Sequence, residues 1–437
     1  MKRYLTGILI LATVQSFASN TNGDTTKIVK SPIVATIKAD ANNADLKLPK
    51  GFGALKVADG LGSTRHLLVT PQGEIYTKLD FSSRSKYKSA VLRLIDVNND
   101  GKIDSIFAFG NYNGTGIAIR NGYLYASSNS EVFRYKLNNK NEVIHPEAPE
   151  KIITGLLMGQ HPSKSIVFDN NNNLYVNIGA NSNSCQEKDR TLQSPGRTPC
   201  PILDSAGGIW MFKADKLNQT YADGIRYATG LRNVVGLDWN MQTNSLFVMQ
   251  HGRDQLYQNW PQFYDSIAGA ELPSECMFEV KQGSNSGWPF TYYNHMLGKK
   301  MVAPEYGGNG KMVSNDSKFQ NPVAAFPGHM APDGLLFYTG NQFPERYKNG
   351  AFIAFHGSWN RAPLPQKGYF VVFQPFKDGK PSGDWEVFAD GFSGKELVTS
   401  TRSAEHRPCG LAQGPDGSLY VSDDTKGTIY RIMYTGK

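Results

Sequence analysis

The stretch SIVFDNNNNLYVNIG, residues 165–179, decides the fold. Ser165 to Phe168 reads as a short strand, Asp169 and the asparagines after it as a polar turn, and Leu174-Tyr175-Val176 as the returning strand. The same pattern recurs as HLLVTPQGEIYT, GIAIRNGYLYAS, GLDWNMQTNSLFVMQ, DGLLFYTG with GAFIAFHG, and GLAQGPDGSLYVSDD. Six copies begin near residues 66, 116, 165, 236, 334 and 410, and the first two intervals are about 50 residues. One such hairpin cannot bury its own faces, and repeats of this period signal stacked or radial assemblies. The reading is an all-β chain, a six-bladed β-propeller with long rim loops, over residues 49–437. A pair of β-sandwich domains is the rival. No composition break and no long amphipathic helix separates the copies, which favours the propeller. The longest insertions, 181–208, 253–318 and 358–406, fall between strands as rim loops, where function concentrates.

The N-terminus, MKRYLTGILILATVQSFASN, has a basic start at Lys2 and Arg3, an apolar run from Tyr4 to Val14, and Ser16-Phe17-Ala18 as a small-x-small site. Residues 1–18 are expected to be a signal peptide, and 19–48 a polar, flexible linker. The apolar run is shorter than the roughly 20 residues a membrane helix needs, and no later segment qualifies. A soluble mature protein, periplasmic or secreted, is expected, with no membrane span after cleavage. Four cysteines fit an oxidising compartment. Cys185 and Cys200 bracket a polar loop and are the expected bridge. Cys276 with Cys409 would follow by elimination, and that pairing stays open. No cysteine spacing suits zinc. The net charge of +8 is dispersed, with no basic run, which argues against nucleic acid as a partner.

Arg65, His161, Arg232-Asn233 and Arg407 all stand just before or at the start of a repeat's first strand. In a propeller those positions converge around the axis. Clustered like charges are costly without a counter-anion, so the set points to a small, multiply charged anionic ligand. The plainer alternative is that each arginine pairs with a nearby carboxylate. FHGSWNRAP adds His356, Trp359, Asn360 and Arg361, an aromatic beside a cation, which suits a planar anion. DVNNDGKID places Asp96, Asn98, Asp100 and Asp104 at positions 1, 3, 5 and 9 of an EF-hand-like loop. Phe107 stands where the bidentate glutamate belongs, so a second calcium competes there with a plain turn.

The stretches GLRNVVGLDWN, LFVMQHGRDQL, GSNSGWPF, LLFYTGNQFPERYKNGAFIAFHGSWNRAP and HRPCGLAQGPDGSLYVSDD resemble the glucose/sorbosone dehydrogenase family. They are most similar to its bacterial sorbosone dehydrogenase-like branch. These are six-bladed propellers that use pyrroloquinoline quinone (PQQ) and calcium. The resemblance implies that His161 is the general base and that Arg232 and Asn233 lie against the quinone. It implies that the carbonyls of Gly252 and Arg253 hold the PQQ-linked calcium. It further implies that His356, Trp359 and Arg361 belong to the cofactor segment, and that Arg65 and Arg407 meet PQQ carboxylates. The stretch HPSK departs from the family pattern, with Lys164 where an arginine is common.

The implied reaction oxidises a small sugar or aldehyde. His161, an imidazole expected to titrate near neutrality, takes the proton, and Arg232 stabilises developing charge. No CxxCH haem motif is present, so electrons should pass to an external acceptor, a cytochrome or a quinone. Two other classes remain: a calcium-dependent lactonase-type propeller hydrolase, which needs carboxylates in the channel, and a non-catalytic propeller that binds a partner.

Overall fold

The computed structural model describes residues 37–83 and 85–436. The expected signal peptide and residues 19–36 of the expected linker lie outside the described residues. Six sheets correspond to the six sequence repeats, five of them four-stranded and one extended by a short fifth strand. Their first strands are Thr64–Val69, Ile117–Arg120, Ile166–Phe168, Val234–Asn240, Pro332–Phe337 and Pro408–Gln413. Each sheet then runs outward through antiparallel neighbours, apart from the short fifth strand, Ser284–Asn285, which pairs parallel with Ile225–Thr229. The all-β, six-bladed propeller is thus borne out.

The last blade is completed by the first strand of the chain. Phe52–Ala58 pairs antiparallel with Ile429–Tyr434, Phe52 opposite Tyr434. This pairing closes the ring and covers an edge that would otherwise be free to pair with another chain. Residues at the end of the expected linker belong to the fold: Ala44 and Leu46 are buried, and Lys47 pairs with Asp390. The sequence reading placed them in the linker because the segment is polar overall. Its two apolar side chains find their core in the last two blades.

Aromatic and aliphatic side chains fill the spaces between adjacent blades. Phe52, Phe343, Tyr347, Phe352 and Phe388 pack edge to face between the last two. The inner strands approach so closely that some positions admit no side chain. A Cβ on Gly334 would lie 2.4 Å from the Cys409 carbonyl oxygen, and one on Gly410 would lie 2.7 Å from that of Arg65. Both glycines open a sequence repeat, which explains the recurrent Gly-Leu there.

At the same end of four inner strands the register slips, between Thr64 and Leu67, Val234 and Leu237, Pro332 and Gly334, and Pro408 and Leu411. Bulges re-aim side chains, and these put Arg65, Asp333 and Cys409 within reach of one another. Above this end lie the rim loops, including the helices Leu256–Asn259 and Ser266–Glu271 and the hairpin of Thr291–Asn294 with Lys299–Val302. Among the described residues no helix is long and apolar enough to cross a membrane.

Candidate active site

A cavity of about 160 Å³ opens among the rim loops, and His161, Arg232, His251, Glu275 and Trp359 are in its wall. His161 lies in the turn before Ile166–Phe168. Its Nδ1 is 2.5 Å from the carbonyl oxygen of Ala180, which can only accept. The proton therefore sits on Nδ1, and Nε2 keeps its lone pair. Burial, then the charge of Arg232, pushes the imidazole down to about 3. The ring is therefore neutral, with its single proton on Nδ1, across the neutral range. This corrects the expectation of a near-neutral titration, which took the histidine as if it were solvated.

Arg232 precedes Val234–Asn240 and is fully enclosed. Its Nη2 donates to Asp254 Oδ2 at 2.7 Å, Nη1 to the Gly252 carbonyl at 3.0 Å, and Nε to the Asn183 carbonyl at 3.2 Å. Burial would raise the Asp254 carboxyl, but Arg232, with His329 and Arg190, draws it down to about 2. Glu275, at the start of Glu275–Val280, accepts from the Gly252 and Ala331 amides. Burial pushes its carboxyl up to about 8. Asn233 and Asn360 each keep a buried side-chain oxygen without a partner among the described residues.

A second cluster adjoins the first through His251, whose Nε2 is 3.3 Å from Asp333 Oδ1. Arg65 spans Asp424 at 2.6 Å and Asp333 at 3.2 Å, and His356 Nε2 is 2.7 Å from Asp424. Arg407 donates to the carbonyls of His356 and Gly357, at 3.1 and 2.7 Å. Arg407 makes no ion pair among the described residues, unlike Arg65 and Arg232.

The repeat-start residues therefore gather at one end of the axis, but not as an uncompensated ring of cations. Asp254, Asp333 and Asp424 supply counter-charge from within the protein. Asp333 lies in the fifth blade's first strand, whereas Asp254 and Asp424 follow the second strands of their blades. Their signal was a recurring polar residue after the second strand: His251 to Asp254, His356, and Asp423-Asp424. His66, His251, His329 and Glu275 were missed as well, His66 within a first strand and the others outside one.

Two of the other expected site residues direct their side chains away from the cavity. Arg361 is turned away from the cavity, donating to the carbonyls of Ala270 and Gly328 and to Glu271. The side chain of Arg253 is directed to Glu305, 2.5 Å away. Trp359 is 58% exposed at the cavity mouth. In the Asp96 loop, Asp96 accepts from the Asp100 and Gly101 amides, Asn98 from Asp100, Asp100 from Lys102, and Asp104 from Val97 and Asn98. That pattern is an Asx-type turn joining two strands, with its oxygens engaged by backbone. Cys185 and Cys200 are bridged as expected, whereas Cys276 and Cys409 are separate buried thiols.

Among the described residues no group of three or more His, Cys, Asp or Glu side chains is arranged to hold a metal ion. Any cation here would draw on backbone oxygens and the ligand itself. The Gly252 carbonyl and the adjacent Glu275 carboxyl form a hard oxygen set that suits calcium. The Arg407 guanidinium, without an ion pair among the described residues, and the open Trp359 face suit a planar anion. The residues present therefore fit PQQ with calcium.

The profile of the TrAA12-like family matches residues 46–435. The chain belongs to this family. A PQQ-dependent sugar dehydrogenase from Hypocrea jecorina is 22% identical over 338 residues, 73% of each chain. An aldose sugar dehydrogenase from Escherichia coli is 25% identical over 292 residues, 63% of this chain and 61% of its own. An uncharacterized protein of Borreliella burgdorferi is 29% identical over 276 residues, 63% of this chain and 61% of its own. The calcium structure of a Trichoderma reesei AA12 enzyme superposes with a TM-score of 0.71 at 17% identity, covering 92% of this chain and 99% of that one. The holo PQQ domain of a Coprinopsis cinerea pyranose dehydrogenase gives 0.68 at 18% identity, covering 89% and 97%. These superpositions establish a shared fold, and the motif resemblance to the PQQ-dependent sugar dehydrogenases is borne out.

Proposed function

We propose that this TrAA12-like protein is an exported quinoprotein dehydrogenase that oxidises a sugar or sugar aldehyde with PQQ and calcium. The observation that carries the reading is His161: a neutral imidazole, its proton fixed toward Ala180, with a bare Nε2 beside a buried arginine in an open cavity. The sugar and aldose dehydrogenases among its relatives support the substrate class.

PQQ, when bound, supplies the hydride acceptor. Arg232, Asn233 and Arg407 would hold its polar edge, and the Gly252 carbonyl and Glu275 would hold calcium. His161 Nε2 accepts the proton of the substrate hydroxyl, which leaves the carbon ready to release hydride. Arg232 is a fixed donor for charge that develops opposite, already oriented by three hydrogen bonds. Trp359 offers a flat apolar face against which a sugar ring can stack. Electrons leave to an external acceptor, a cytochrome or a quinone. The buried disulfide and the expected signal peptide support a periplasmic or secreted location.

The carboxylates in the channel favour a calcium-dependent hydrolase as the second reading. Asp254, Asp333 and Asp424 are, however, each engaged by arginine or histidine, which leaves Glu275 without an ionic partner. The deciding experiment titrates the mature protein with PQQ, with and without calcium, then measures dye reduction over a sugar panel and hydrolysis over a lactone panel. Calcium-dependent PQQ binding with sugar-driven dye reduction supports the proposal. Absence of PQQ binding, or lactone hydrolysis in its place, overturns it.

A further inference from the structure

We infer that Asn183, two residues before the loop closed by Cys185–Cys200, is a positioning residue that fixes Arg232 and Asp254 for the ligand in the cavity. The inference rests on the cofactor reading above for its consequence, but its geometry stands apart from any ligand.

Asn183 is fully buried. Its side chain makes a two-point clasp on the Asp254 backbone: Oδ1 accepts from the Asp254 amide at 2.8 Å, and Nδ2 donates to the Asp254 carbonyl at 2.9 Å. Its own carbonyl accepts from Arg232 Nε at 3.2 Å and from Trp288 Nε1 at 3.0 Å. One residue thus holds both partners of the 2.7 Å Arg232–Asp254 ion pair. An enclosed ion pair depends on good geometry and on hydrogen bonds to its remaining polar atoms; Asn183 accepts from Arg232 Nε and fixes the backbone that carries the Asp254 carboxylate.

The loop carries a second arm toward the base. Asp189 accepts from the Asn183 amide at 3.0 Å and from Gln160 Nε2 at 2.7 Å, and Gln160 is the neighbour of His161. Arg190, the next residue, donates to Asp254 Oδ2 at 3.1 Å. The Ser182 hydroxyl donates to Asp189 and accepts from the Cys185 amide at 2.9 Å. The bridge spans 15 residues and closes the segment holding Asp189 and Arg190, with Asn183 two residues before Cys185. It therefore restrains a frame around the site, beyond stapling a surface loop. Such supporting contacts keep reacting groups within tolerance, and their loss costs affinity even when the contacting residues remain.

The test uses the mature protein and an Asn183→Ala variant, with Trp288→Phe as the control that shares the same carbonyl. Hydrogen exchange on the cofactor-free proteins reads the clasp itself. Asn183→Ala should speed exchange by tenfold or more in peptides covering 229–235 and 250–256, with the other blades unchanged and Trp288→Phe near wild type. Calcium-dependent PQQ titration should then show at least tenfold weaker binding for Asn183→Ala. Unchanged exchange in those peptides, or unchanged PQQ affinity with wild-type protein binding normally, overturns the inference. Wild-type protein that binds no PQQ sinks the cofactor reading instead, and the exchange result still decides the positioning role. Should Asn183→Ala not fold, a Cys185→Ser/Cys200→Ser variant is compared in the same two measurements, and identical results to wild type overturn the frame.

Discussion

His161 donates its Nδ1 proton to the carbonyl of Ala180 at 2.5 Å, while the Ala180 amide donates to the carbonyl of Arg232 at 2.7 Å. One residue just past the end of a blade strand thus orients the candidate base through its carbonyl and anchors the backbone of the arginine through its amide. The contact is tight: a Cβ on neighbouring Gly179 would lie 2.6 Å from the His161 Cβ. Base and arginine sit in different blades, and this short segment holds them in register.

Replacing His161 with alanine should leave PQQ and calcium binding nearly intact and lower turnover by roughly 10²–10⁴. Dye-linked turnover per PQQ-loaded molecule is the measurement. A loss below about tenfold moves the base to His251, which lines the same cavity. The depressed histidine also carries a sign for stability. Folded near 3 and unfolded near 6.5, it is protonated first in the unfolded chain as pH falls. Its contribution is full above pH 6.5 and is lost toward pH 3. The His161→Ala apoprotein should therefore show a shallower fall in stability across that range, by about 1 kcal/mol per pH unit.

Arg232→Ala should weaken PQQ binding and slow turnover together. It should also destabilise the apoprotein by about 3–5 kcal/mol, because Asp254 loses its principal partner in a dry site. Adding Asp254→Ala should restore part of that stability but not the affinity for PQQ. Denaturant unfolding of the single and double variants gives the coupling. Additive losses would show that the ion pair does not act as a unit.

The propeller was legible because each blade repeats an apolar strand, a polar turn and an aromatic strand within a short span. Closure of the ring was not, since Phe52 meets Tyr434 from the other end of the chain. The site divides along the same line. His161 and Arg232 could be found from their places before a strand. Asp333 and Asp424 acquire meaning only through Arg65, which lies 268 and 359 residues away in sequence. The arginine set looked like a demand for an external anion because sequence shows charge but not pairing. Arg407 is the member of that set for which the inference keeps its force.

Chelation of calcium should abolish PQQ binding, and added calcium should restore it. The same treatment should leave the region of Asp96 unchanged, because its oxygens already accept from backbone amides. Asp100→Asn should accordingly keep the wild-type calcium requirement for PQQ. A raised requirement in Asp100→Asn would show that this turn holds a cation that matters to the site.

The amine of Lys78 offers a prediction independent of any ligand. Lys78 is fully buried, and its Nζ has no hydrogen-bond partner among the described residues. Its nearest favourable contact is the face of Tyr112, 4.4 Å from the ring centre. Burial pushes the amine down to about 7, against an ordinary value of 10.5. Between those values the unfolded chain holds a proton that the folded chain has released, so stability rises with pH from about 7 to 10.5. Below 7 the folded protein must bury the charge or expose it. Lys78→Met keeps a long, flexible side chain against Tyr112 and removes the amine. It should raise unfolding free energy by about 1–3 kcal/mol at pH 7, the usual scale for an unpaired buried polar group. The gain should shrink by pH 10, where the wild-type amine is neutral in the folded state and the unfolded reference is losing its proton. Urea unfolding of both proteins at the two pH values decides it. A variant less stable than wild type at pH 7 would mean that the amine has a partner in solution, and that the lysine supports the blade instead of straining it.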